Sequence, residues 1–210
     1  MNPQHHPSEA VLVDYASGAQ RPAFAAVTAA HLEVCAPCRS QVRLLEEVGG
    51  ELLEDLAPAA MEDDGVARLL HRLDALEAAP PSRAPSRAPG RAMTDRIRFG
   101  PRRWAGPGVW VRRAEKDLCG DDMLYMLYVP QGMTIFPHNH PGCEHIAVVK
   151  GGFTDVTGAY AEGDFAEIAP DVEHEPKVDP ESDCICLIAS EHPMKMRTLF
   201  GRMFQFVAKI

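Results

Sequence analysis

The feature that most limits this chain is the stretch PPSRAPSRAPGRA, running from Pro80 to Ala92. Prolines at 80, 81, 85 and 89 remove backbone donors and fix φ, so no helix can pass through it. No hydrophobic periodicity crosses it either. The chain must therefore fold as two pieces, residues 1–79 and 94–210, joined by a linker over 80–93. Arginines at 83, 87 and 91 make the linker a basic strip. The first piece is strongly acidic, with 13 Asp/Glu against 5 Lys/Arg.

A chain of 210 residues suits two small domains. Its 46% hydrophobic and 24% charged residues are ordinary for a globular protein. A formal net charge of -9 argues against direct binding of nucleic acid, which calls for a basic surface. The same charge suits a partner that is itself a basic, DNA-binding protein. No apolar run approaches the roughly 20 residues that span a bilayer. The start, MNPQHHPSEAVLVDYASG, lacks the charged-then-apolar order of a signal peptide. A cytoplasmic location with no membrane contact is expected. In that compartment six cysteines read as ligands or redox thiols rather than as a disulfide framework.

The first piece reads as four helices. Ser8 caps a short helix that closes at Gly18, and Pro22 opens a second at its first turn. A third starts near Ala36-Pro37 and is expected to end or kink at Gly49-Gly50, with a possible resumption through ELLEDL. The fourth carries Val66, Leu69, Leu70, Leu73 and Leu76 at helical spacing. A core that small needs a staple. HLEVCAPC provides one, placing His31, Cys35 and Cys38 at H-x3-C-x2-C. His31 and Cys35 share a helix face at i, i+4, and Cys38 lies one short turn beyond. Two thiolates and an imidazole are three ligands of a closed tetrahedral zinc site. The fourth must come from His5 or His6, and His6 is favoured because Pro7 and the cap residue fix its direction.

The second piece has short β-rich runs, MLYMLYVP, TIFPHNH, HIAVVKG and DCICLIAS, separated by Gly, Pro and Asp turns. That rhythm predicts an all-β sandwich or barrel. Within it lies G-x5-H-x-H-x3-E-x6-G, from Gly132 through His138, His140 and Glu144 to Gly151. Residues two apart on a strand face the same side, so both histidines enter the barrel. A Pro-Gly turn returns Glu144 toward them, and His174 supplies an imidazole from a later strand. Three histidines and one carboxylate suit zinc or another divalent transition metal. His145, pointing the opposite way from Glu144 on the strand, is read as a solvated histidine, and His71 and His192 as surface or packing histidines.

The two motifs carry a resemblance. HHPSEAVLVDYASG followed by HLEVCAPC resembles the zinc-binding anti-sigma domain, with His6, His31, Cys35 and Cys38 at its ligand positions. The G-x5-H-x-H-x3-E-x6-G run matches the first motif of the cupin superfamily. The second cupin motif is looser, with Val172 where a glycine is usual. Together they resemble the ChrR family of anti-sigma factors along essentially the whole chain.

The resemblance implies a multidomain α + β protein: a small zinc-bound four-helix module followed by an all-β cupin barrel. It implies an inhibitor of an extracytoplasmic-function sigma factor, released when singlet oxygen or related oxidants are sensed through the metal-binding cupin, with a protease possible during release. It places the cupin metal at His138, His140, Glu144 and His174. The rival expectation is a dioxygenase-like, metal-dependent cupin enzyme carrying an accessory helical module. Cys143, beside Glu144 and therefore expected close to the barrel metal, and the Cys184/Cys186 pair are candidate redox thiols, although the pair also reads as small core residues.

Overall fold

The computed structural model describes residues 3–60, 62, 64–78, 93–116 and 119–196. The Pro/Arg-rich stretch at 80–92 and the chain end at 197–210 lie outside the described residues. Helices α1 (Glu9–Ala16), α2 (Pro22–Val34), α3 (Ala36–Glu54) and α4 (Gly65–Ala78) come first, with a short α5 (Met93–Arg96) before the strands. Ser8 caps α1 by accepting from the Val11 N–H, and Pro22 stands at the first turn of α2. Where α1, α2 and α3 meet, Leu12, Leu32, Cys35, Cys38 and Val42 form one small buried cluster.

The expected break in the third helix does not occur. Helix α3 runs unbroken through Gly49 and Gly50 to a cap at Asp55, whose N–H bonds back to Glu51 and Leu53. A glycine costs a helix interior about 1 kcal/mol but ends it only where the backbone turns left-handed, and neither residue has a positive φ.

The second piece is antiparallel throughout. Its six-stranded sheet runs β1 (Arg103–Gly106), β2 (Val109–Arg113), β3 (Met123–Val129), β10 (Cys184–Ser190), β5 (Glu144–Lys150) and β8 (Phe165–Ile168) in spatial order. A three-stranded sheet of β7 (Gly158–Ala161), β6 (Gly152–Asp155) and β9 (Lys177–Val178) and the pair β11 (Lys195–Met196) and β4 (His138–Asn139) complete the barrel. The run TIFPHNH contributes only β4, because Pro137 has no donor for a ladder. Gly151 turns β5 into β6 at φ 74°, where a Cβ would stand 2.2 Å from the Asp183 carbonyl oxygen.

Period-2 alternation makes the large sheet two-sided. One face turns Tyr125, Ile146, Val148, Cys184, Cys186 and Ile188 into the barrel core with Phe153, Tyr160 and Val178. The other turns Leu124, Ala147, Phe165, Leu187 and Ala189 outward, where Ala23, Phe24, Ala26 and Val27 of α2 cover them. The helical piece is thus no self-contained bundle, since the apolar face of α2 is buried on the barrel. Burying a side chain such as Phe24 or Val27 stabilises by about 1.5–3 kcal/mol. Arg21 reinforces this docking through ion pairs to Asp122 and Glu191.

His145 is a second correction. It points away from the barrel core, but it is half-buried under α2, edge-on to Phe24 at 4.8 Å and against Phe165 at 5.3 Å. Alternation predicts its direction and only the docked helix reveals its cover. His71 and His192 are exposed, as expected.

Candidate metal centres

The first centre forms where the N-terminal arm crosses the junction of α2 and α3. His6, His31, Cys35 and Cys38 place their ligand atoms within 4.8 Å of one another. His6 Nδ1 lies 3.3 Å from Cys35 Sγ and 3.4 Å from Cys38 Sγ. Tetrahedral zinc with Zn–N and Zn–S bonds of about 2.0 and 2.3 Å separates such atoms by about 3.5 Å. His5, the other candidate, instead packs on Tyr160 at 4.7 Å. His31 bonds through Nδ1 to the Gly163 carbonyl at 2.8 Å, which leaves its buried Nε2 with no hydrogen-bond partner. An orphaned ring nitrogen facing two thiols is a donor set awaiting a cation. Burial lowers the His31 pKa and, with Cys35 beside it, pushes Cys38 up to about 12. The thiolate needed for ligation therefore forms only with the cation.

The second centre lies inside the barrel. His138 and His174 exchange backbone hydrogen bonds at 3.1 and 3.0 Å, which brings their rings, tilted at 47°, to 4.3 Å between centroids. His140 joins them, and the three ligand atoms lie within 4.8 Å of one another. Glu144 borders this set, with its carboxylate 3.3 Å from His140 Nε2 and 3.8 Å from His174 Nε2. Tyr125 donates to the same carboxylate at 3.2 Å. All four residues are buried, and His140 Nε2 and His174 Nε2 have no hydrogen-bond partner. Burial, then the neighbouring imidazoles, hold His138 at about 4 and His140 at about 3, so both are neutral ligands at pH 7. Burial raises Glu144 to about 7. These residues fit a divalent transition metal.

Two orienting groups escaped the sequence reading. His138 Nδ1 donates to the Phe136 carbonyl at 2.8 Å, and His174 Nδ1 to Asp155 Oδ2 at 2.9 Å. Burial pushes Asp155 up, but hydrogen bonds from His174 and Thr157 outweigh it and hold the carboxyl below its usual range. Only the strand pairing brings Asp155 to His174, and no local motif marks it. The irregular second motif is resolved by Asp171, which takes the left-handed φ of 61° and donates its N–H to the His140 carbonyl at 2.7 Å. Aspartate tolerates that conformation, so Val172 need not.

The remaining thiols are placed differently from one another. Cys143 packs with the cluster under α2, across the sheet from the inward Glu144, so it is not near the barrel centre as expected. Cys184 and Cys186 are buried core residues with Sγ atoms 3.5 Å apart. Burial raises the Cys143 pKa, and the Cys184 hydrogen bond and burial raise that of Cys186, so neither is an activated thiolate.

No helix among the described residues is long and apolar enough to cross a membrane. Residues 103–194 match the ChrR Cupin-like domain family. The anti-sigma-E factor ChrR of Cereibacter sphaeroides is 34% identical over 208 residues, covering 98% of each chain. A crystal structure of Rhodobacter sphaeroides SigE in complex with the anti-sigma ChrR superposes with a TM-score of 0.70 at 31% identity, covering 90% of this chain and 99% of that one. With an identity of that level over almost its whole length, the chain belongs to the ChrR family of anti-sigma factors.

Proposed function

We propose that this protein sequesters an extracytoplasmic-function sigma factor through residues 1–79, and that its cupin barrel governs release under singlet oxygen or related oxidants. The observation that carries the reading is an apolar surface left open on two helices of the acidic first piece. Leu44, Val48 and Leu52 repeat along α3, and Val66, Leu69, Leu70 and Leu73 along α4, each about half exposed or more. Rows of this kind mark a protein partner. Charge supports the choice, because residues 1–79 carry 13 Asp/Glu against 5 Lys/Arg, including Glu46, Glu47, Glu51 and Glu54 on α3, and so complement a basic, DNA-binding protein.

Zinc held by His6, His31, Cys35 and Cys38 would supply a tetrahedral crosslink between the N-terminal arm and the α2–α3 junction. Those four residues thereby set the angle at which α3 leaves the bundle. In the barrel, His138, His140, Glu144 and His174 offer a neutral-imidazole and carboxylate set for zinc or another divalent transition metal. Their surroundings keep the imidazoles unprotonated and fixed in direction.

The test is co-expression of the full chain with candidate sigma factors, followed by gel filtration. A complex that survives in wild type and is lost in Leu69→Asp/Leu73→Asp, with an unchanged melting temperature, supports the reading. A folded, metal-loaded chain that captures no candidate moves the assignment to a metal-dependent cupin enzyme. For the release step, His138→Ala is expected to keep the complex and to blunt its dissociation under singlet oxygen. Dissociation at the wild-type rate sinks the sensing role.

A further inference from the structure

His31 belongs to the helical piece, yet its ring is aimed from the barrel. Its Nδ1 bonds to the carbonyl of Gly163, in the turn between β7 and β8 and 132 residues along the chain. That contact fixes the tautomer and points Nε2 at the two thiols. The same turn grips the arm that carries His6. Asp164 is 2% exposed and accepts from the backbone N–H of Gln4 at 2.6 Å and of His5 at 3.1 Å. A third bond, from the Ala161 N–H at 2.9 Å, holds the carboxylate in place, and the Phe165 N–H donates to the His5 carbonyl at 3.1 Å. The next residue is His6. Gly163 has φ 94°, and a Cβ there would lie 3.2 Å from Pro3 and 3.4 Å from Val34. The turn is itself anchored on β5, the strand that Glu144 opens, through Gly163 N to Val148 O at 2.8 Å and Val148 N to Asp164 O at 3.0 Å.

Building on the metal reading of the first centre, we infer that the Gly163–Asp164 turn of the barrel is a positioning element of that centre. That turn directs both of the centre's histidine ligands, so metal retention among the helices depends on the contacts the turn makes to His31 and to the arm carrying His6. Groups that orient a ligating histidine are typically worth roughly 10- to 100-fold in metal affinity. Arg21 gives a control, because it joins the two pieces through Asp122 and Glu191 without contacting a ligand.

The experiment uses the full chain loaded with cobalt(II). Thiolate-to-cobalt charge transfer reports the Cys35/Cys38 centre alone, since the barrel set has no thiolate. Under competition with EDTA, Asp164→Ala should lose that band at roughly 10- to 100-fold lower chelator than wild type. Gly163→Ala, strained at its φ and crowding Pro3, should do the same and serves if Asp164→Ala does not fold. Asp164→Asn keeps an acceptor for Gln4 and His5 and should recover much of the loss. Arg21→Ala should behave as wild type. The inference fails if the alanine variants hold cobalt as firmly as wild type, or if Arg21→Ala weakens it equally. A wild-type chain with no thiolate band refutes the metal reading beneath it instead.

Discussion

Removing the Asp155 carboxylate tests how far the barrel centre relies on a residue that cannot ligate. Its Oδ2 accepts from His174 Nδ1 at 2.9 Å, and both side chains are at most 1% exposed. Its Oδ1 is held by the Thr157 N–H at 2.8 Å and the Thr157 hydroxyl at 2.6 Å. Asp155→Ala leaves a buried ring N–H unpaired and frees His174 to change tautomer. A hydrogen bond to a charged group contributes about 1.5–3 kcal/mol, and losing a ligand's orienting carboxylate costs roughly 10- to 100-fold in affinity. Titration with zinc against a chromophoric chelator should resolve two sites in wild type. In Asp155→Ala one site should keep its affinity and the other weaken by that factor. Two unaltered sites would refute the reasoning, because His174 would then hold its direction without its partner.

Cys38→Ala should abolish one zinc equivalent, loosen α1–α3 and release the sigma factor, as read by zinc stoichiometry and co-purification; a zinc-loaded, fully inhibitory variant contradicts the first centre. Phe24→Ala opens a cavity between α2 and the sheet and should cost about 3–5 kcal/mol in denaturant unfolding; a loss under 1 kcal/mol would mean that the helix is not held there. The metal-free protein should lose stability as pH falls from 6.5 toward 4, since His138 and His140, held at about 4 and about 3, take up protons only on unfolding. Glu144, raised to about 7, opposes this between pH 7 and 4.5 by protonating in the folded state first, so one carboxyl offsets part of two imidazoles. A flat melting temperature from pH 6.5 to 4 after chelation counts against these environments.

Much was legible from local spacing. His31, Cys35 and Cys38 lie within eight residues, so helix geometry alone groups them, and His138, His140 and Glu144 are related by one strand and one turn. Helix starts at Ser8 and Pro22 follow from caps, and the buried β runs from their composition. Local reasoning failed at Gly49-Gly50, where the glycines suggested a stop that the backbone does not take, and at His145, whose cover comes from a distant helix.

The sequence by itself determined which side chains could ligate and that two kinds of architecture would follow one another. The tertiary structure alone decided that the helices share a core with the barrel, that Asp155 aims His174, and that the Gly163 carbonyl aims His31. The physical reason is separation along the chain. Ligands spaced by a helix turn or a strand repeat are fixed by φ and ψ. Their orienting partners, 19 and 132 residues away, are chosen only when sheets pair and a helix docks.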